Sequence, residues 1–274
     1  MLSRRLAVLA SLVLLVVPLV LAADASAAKA PRLAKGDRIV FLGDSITQGG
    51  SGKTGYITLI QEALDAQHKD LGIETVNAGI SGNKVADLQG RLDKDVLEKK
   101  PTIVFIYIGI NDVWHWHKQA DGTMVGGTTK EAFEAGLKDI IARIKTAGAR
   151  IILCTPSVIG EKHDGKNERD AMLEEYSTIS RSVAKETGTP LLDLRKAFLA
   201  YLKKHNKENK DRDILTADSV HLNDAGNRLV ADLMLSALGA KPTKQPYVTW
   251  RPASRGTTSS CTRARGGPRP RPCR

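Results

Sequence analysis

The chain has 274 residues, 42% hydrophobic and 26% charged, which suits one globular domain with a sizeable core and excludes a low-complexity chain throughout. Its formal net charge of +11 suggests a polyanion binder until the charge is located. Nine of the surplus positive charges fall in residues 241–274, which carry no acid, and one in residues 1–27. Residues 28–240 are therefore near neutral and lack the global basic field of a nucleic-acid-binding protein.

In chain order, Arg4 and Arg5 precede an almost unbroken apolar run, Leu6 to Leu21, and then small residues from Ala22 to Ala28. A basic start, a short apolar stretch and A-x-A sites predict a cleaved signal peptide over residues 1–27, hence a secreted or periplasmic protein. The run is short of the roughly 20 residues of a spanning helix, so no stable membrane insertion is expected after cleavage. From Arg38 a short apolar run, a loop and a segment of helical spacing recur. Strands are expected at Ile39–Leu42, Ile73–Asn77, Thr102–Ile108, Arg150–Thr155 and Pro190–Leu192. Helices are expected at Tyr56–His68, Lys84–Glu98, Lys130–Ala147, Arg169–Thr187 and Leu194–His205. A last helix runs to about Leu238, capped by Asn223 or Asp224. Apolar strands alternating with helices predict an α/β fold, a parallel sheet covered on both faces, over residues 28–240. Residues 241–274 are rich in Pro, Gly, Arg, Ser and Thr and predict a disordered basic tail. Cys154 reads as a small buried hydrophobe, and Cys261 and Cys273 fall in the tail, where they cannot staple the core.

Ligands of such folds gather beyond the carboxyl ends of the strands, where four segments carry chemistry. Gly43-Asp44-Ser45 follows the first strand and can expose a serine hydroxyl and its N–H. Asn77-Ala78-Gly79-Ile80-Ser81-Gly82 ends the second; its glycines allow close backbone approach, and Gly79 can present an N–H to a ligand. Ser81 is the rival nucleophile. Gly109-Ile110-Asn111-Asp112 ends the third, and the Asn111 amide suits an oxyanion as a neutral donor. Asp218-Ser219-Val220-His221 precedes the last helix: a carboxylate three residues before a histidine can hold one ring nitrogen and leave the other for a nucleophile.

Taken together and in this order, the blocks resemble the SGNH hydrolases, also called the GDSL esterase/lipase family, over about residues 38–238. The one departure is Ile46 where the family name has Leu, a volume-conserving exchange. The resemblance implies a flavodoxin-like three-layer α/β/α sandwich with a five-stranded parallel sheet. It implies Ser45 as nucleophile, His221 as general base and Asp218 as its orienting acid. The N–H groups of Ser45 and Gly79 and the Asn111 side chain would form the oxyanion hole. An acyl-serine would form and be hydrolysed with no metal or organic cofactor. A monomer is the default.

The expected substrate is a small-molecule or polysaccharide ester, with release of short acyl groups such as acetyl. Trp114 and Trp116, directly after the third block, offer flat apolar surface on which sugar rings can stack. A lysophospholipase, lipase or thioesterase of the same family is the alternative. From another class, a carbohydrate-binding relative without catalysis would need vacant catalytic positions, but all are filled. A phosphate loop is suggested by Gly52-Lys53-Thr54, but Thr47 stands where that pattern needs glycine. His115 and His117 have the spacing of a metal pair without an evident third ligand.

Overall fold

A computed structural model describes residues 32–243; the leader, the distal part of the basic tail, Cys261 and Cys273 lie outside them. In chain order the elements are β1 (Arg38–Gly43), α1 (Ser45–Gly49), α2 (Tyr56–His68), β2 (Glu74–Gly79), α3 (Val85–Asp95) and β3 (Ile103–Tyr107). Then come α4 (Ile110–Trp114), a small hairpin of β4 (His117–Lys118) and β5 (Met124–Val125), α5 (Lys130–Thr146) and β6 (Arg150–Cys154). The domain closes with α6 (Asp170–Thr187), β7 (Leu191–Leu192), α7 (Leu194–His205) and α8 (Asp224–Ala237).

Five strands form one parallel sheet in the order β2-β1-β3-β6-β7. The chain steps one way from β1 to β2 and the other way through β3, β6 and β7. Right-handed crossovers therefore put α2 on one face and α3, α5 and α6 on the other. The packing agrees: α2 lies against α8, while α5 lies between α3 and α6. This is the three-layer sandwich implied by the four blocks, with its reversal of direction between β1 and β3.

Burial follows position in the sheet. Ile39–Leu42 of β1 and all of β3 are buried, whereas the edge strand β2 is largely half-exposed. Phe41 and Phe105 are register partners on β1 and β3, and their rings stack at 5.1 Å. Tyr56 at the start of α2 meets Phe41 edge-on at 5.8 Å, tying the helix layer to the sheet. Cys154 is buried at the end of β6.

The differences from the predicted elements are local. The helix expected over Lys84–Glu98 ends at Asp95, and a 3-10 turn covers Leu97–Lys99. Lys100 then closes this turn with φ 53°, its N–H donating to the Leu97 carbonyl at 2.9 Å. The turns α1 and α4 were not expected. Both have five residues, too few for apolar periodicity to register. Both occupy blocks read for their chemistry.

Candidate active site

Ser45 stands at the head of α1, directly beyond the carboxyl end of β1. Two glycines let that turn fold back over the sheet. A Cβ on Gly43 would lie 2.2 Å from Thr47 Oγ1 and 2.5 Å from the Tyr107 carbonyl oxygen. A Cβ on Gly79 would lie 2.2 Å from the Gln48 nitrogen. Asp44 caps the turn by accepting the Ile46 N–H at 3.0 Å. Burial pushes the Asp44 carboxyl up to about 7; that hydrogen bond pulls it back, and the nearby Asp112 carboxyl raises it further.

His221 and Asp218 sit on the loop before α8, closed by an antiparallel bridge between Thr216 and Leu222 and by the Ala217 N–H to His221 carbonyl bond, 2.8 Å. Ser219 takes φ 78° at its tip. Asn223, rather than Asp224, caps α8, accepting the N–H groups of Ala225 and Gly226 at 3.0 Å each. In this loop Asp218 Oδ2 lies 2.7 Å from His221 Nδ1, and His221 Nε2 lies 2.8 Å from Ser45 Oγ. Asp218 Oδ1 also accepts the backbone N–H groups of His221 (2.7 Å) and Val220 (3.1 Å). Partial burial raises the Asp218 carboxyl, but the His221 ring and these two N–H groups outweigh it and hold the carboxyl below the usual carboxylate range. An ionised Asp218 on Nδ1 favours the tautomer with a bare Nε2, the acceptor a serine hydroxyl needs.

Asn111 opens α4 beyond β3 and is only 3% exposed. Gly109 makes the turn before it with φ 125°, a region open to glycine alone among common residues. Asn111 Nδ2 donates one hydrogen to the Asn83 carbonyl at 3.0 Å, which orients the amide and leaves its second hydrogen available. Gly79 is different from the expectation. Its N–H donates to Asn77 Oδ1 at 2.8 Å, so it is committed within its own strand end, and the glycine serves the close approach of α1.

The unpaired N–H in this block is that of Gly82, three residues on. Gly82 is exposed, takes φ 78°, and has open space where a Cβ would be. It occupies the turn closed by the Asn83 N–H to Ile80 carbonyl bond, next to the residue that Asn111 grips. The residues alone contained a signal for it: a glycine before Asn83 in a short polar turn has the composition of a left-handed position.

Trp114 ends α4, is 41% exposed, and places its ring 6.4 Å from that of His221 at 63°. Trp116 points elsewhere. Its indole N–H reaches the Tyr176 hydroxyl at 3.4 Å, its ring covers Gly127, and it lines a groove with Met124, Met172 and Tyr176. Short chain separation did not give the two tryptophans the same surroundings, because α4 ends between them: Trp114 is its last residue and Trp116 lies past the His115 cap. In the glycine-lysine-threonine stretch, the Thr54 hydroxyl donates to Asp224 on α8 at 2.7 Å, docking that loop on the helix layer. His117 Nδ1 bonds to the His115 carbonyl at 3.1 Å, and no cluster of three metal-ligating side chains occurs among the described residues.

Comparison with known proteins agrees with this arrangement. Residues 41–229 match the model of the GDSL-like lipase/acylhydrolase family. A solved acetyl xylan esterase, AlAXEase, is 48% identical over 73% of this chain and 99% of its own, with a TM-score of 0.69. The acetylxylan esterase of Geobacillus stearothermophilus is 34% identical over 76% of this chain and 96% of its own length. The crystal structure of Axe2, an acetylxylan esterase from the same organism, superposes with a TM-score of 0.66 at 30% identity, over 78% of this chain and all of that one. The chain belongs to the GDSL-like lipase/acylhydrolase family and is a carboxylic-ester hydrolase.

Proposed function

We propose that the protein removes short acyl groups, acetyl foremost, from carbohydrate esters through an acyl-serine intermediate. The observation that carries the mechanism is the continuous hydrogen-bonded chain Asp218–His221–Ser45 at the sheet's carboxyl edge. His221 Nε2 takes the Ser45 proton as Oγ attacks the ester carbonyl, and Asp218 stabilises the imidazolium. The N–H groups of Ser45 and Gly82 and the free Asn111 amide hydrogen receive the oxyanion. His221 then protonates the leaving alcohol, and water activated by the same nitrogen releases the acid. Gly82 replaces Gly79 in this reading because only Gly82 has an uncommitted N–H.

The substrate class is supported by the acetylxylan esterases to which the chain is similar and by Trp114, an exposed flat ring beside His221. A sugar ring stacked there would bring its O-acetyl group toward Ser45. Export fits such a polymeric substrate: the leader over residues 1–27 is read as a cleaved signal. No helix among the described residues is long and apolar enough to cross a membrane. We read the working unit as a monomer.

A chain-length series of p-nitrophenyl esters beside acetylated xylan and pectin tests the proposal. Highest turnover on acetate with acetic acid released from a glycan is expected. A maximum at long acyl chains with no acetate released from either glycan contradicts it and favours a lipid substrate. Amino-terminal sequencing of the exported protein checks the leader, and light scattering at working concentration checks the monomer.

A further inference from the structure

Glu161 is a fully buried carboxylate that the mechanism does not use. It lies on the loop between β6 and α6, and no cation pairs with it among the described residues. The partners of its carboxylate all belong to one segment of the neighbouring loop. Oε1 accepts the N–H of Leu215 (2.7 Å), the N–H of Thr216 (2.5 Å) and the Thr216 hydroxyl (2.8 Å). Oε2 accepts the N–H of Ile214 (2.8 Å). Three consecutive backbone donors thus converge on one side chain at the base of the loop that carries Asp218 and His221.

The residue before it holds the other end. The Gly160 N–H donates to the Ser219 carbonyl at 2.7 Å, at the tip between Asp218 and His221. Gly160 takes φ 88°, and a Cβ there would lie 2.3 Å from Asn167 Oδ1, so this approach needs glycine. The gripping loop is itself fixed: Asn206 Nδ2 donates to the Glu161 carbonyl at 2.8 Å, and Asn167 bridges Lys162 and Asp170.

We propose that Glu161 is a positioning residue for ester hydrolysis. By anchoring residues 214–216 it sets where the Asp218–His221 pair stands relative to Ser45. The loop contains no strand of the main sheet, and Glu161 alone gives it three backbone bonds and one hydroxyl bond. The inference rests on the triad reading above. Displacement of a reacting group by about 1 Å can lower a rate by up to about 100-fold, so a loosened anchor registers in kcat before it registers in binding.

Glu161→Gln is the direct test. One amide oxygen can still receive Leu215 and Thr216, but the NH2 group then faces the Ile214 N–H, donor against donor. Active sites are titrated by covalent labelling and kcat is expressed per titrated site. The expected result is a fall of about 10- to 100-fold in kcat with KM within about twofold. Wild-type kcat per titrated site, with only fewer active sites, would show a purely structural role and overturn the proposal. Should Glu161→Gln not fold, Thr216→Val decides: it keeps the shape and deletes one of four donors. A fall of about 2- to 5-fold in kcat with unchanged KM supports the proposal, and wild-type kcat overturns it. Titration of the wild type and of Ser45→Ala tests the triad separately, since the positioning role can fail while Ser45 still labels.

Discussion

The proposed nucleophile, Ser45, and its proposed general base, His221, rest on supports of different kinds. Ser45 and Asn111 sit in five-residue turns that leave β1 and β3, adjacent strands at the centre of a hydrogen-bonded sheet with a stacked aromatic pair beneath them. Their positions follow from sheet geometry and from glycines that admit close approach. Asp218 and His221 sit on an irregular loop, placed by hydrogen bonds that its N–H groups donate to the Glu161 carboxylate, by the Gly160 N–H and by a bond from the Ser219 hydroxyl to Asp211 Oδ2, 2.7 Å. A sheet edge fixes groups collectively, so one substitution moves them little. A loop tethered by side chains concentrates that task in a few atoms. The strand-held half therefore responds to changes in its chemistry, and the loop-held half also to changes in its tethers.

The largest expected effect is chemical. Ser45→Ala and His221→Ala should each lower kcat by about 10⁴-fold or more with the fold intact, as measured by initial rates on p-nitrophenyl acetate alongside circular dichroism. Next, Asn111→Ala should lower kcat by about 10²- to 10³-fold, the cost of one oxyanion donor, with a small change in KM. A drop in binding alone would place the amide outside the transition state. If Gly82 is the backbone donor, its amide proton should shift downfield in NMR spectra of a phosphonylated enzyme while that of Gly79 stays put; the reverse would restore Gly79.

Arg91 tests whether the strand-held half also depends on a tether. Its Nε donates to Asn83 Oδ1 (2.6 Å), Nη2 to the Gly43 carbonyl (2.8 Å) and Nη1 to Asp95 Oδ2 (2.9 Å), joining the end of β1 to the Gly82 turn. Arg91→Ala should reduce kcat by about 10-fold, less than Glu161→Gln does at its upper range. A larger loss than Glu161→Gln would erase the contrast between the halves.

The smallest effect is on stability. Asp112, fully buried behind Asn111, accepts the Val85 N–H through Oδ1, while Oδ2 lacks a hydrogen-bond partner among the described residues. Burial pushes its carboxyl up to about 6 from 3.8, against the opposing pull of neighbouring Thr128 and the Val85 N–H. A carboxyl raised on folding stabilises the fold fully when protonated, below its unfolded value, and that contribution is lost as pH rises through the folded one. Between pH 5 and 8 the loss from this group is on the order of 1 kcal/mol. Urea titrations at both pH values should show Asp112→Asn declining less than wild type by about that amount; an equal decline would mean that Asp112 does not titrate there.

How much of this was legible in the residues differs between the halves in the same way. β1, β3 and β6 read directly as apolar runs, and Leu194–His205 was bounded correctly because its apolar spacing, its capping Asp193 and its terminal basic residues agree. Ser45, Asn111, Asp218 and His221 were legible because each stands in a block at a strand end or helix start. Gly79 was favoured over Gly82 because sequence does not reveal which N–H is already bonded. Adjacency groups Trp116 with Trp114, though the end of α4 falls between them. Glu161 had no signal at all: a lone glutamate in a polar loop looks solvated, and its burial depends on a segment more than fifty residues away.

Active-site labelling tests the central claim most directly. The protein is treated with a fluorophosphonate, digested, and the modified peptide is mapped by mass spectrometry, with His221→Ala as the comparison. The account predicts a single stoichiometric adduct on Ser45, loss of esterase activity in proportion to it, and labelling slowed by orders of magnitude in His221→Ala. An adduct on Ser81, or esterase activity that persists with Ser45 fully modified, would contradict it.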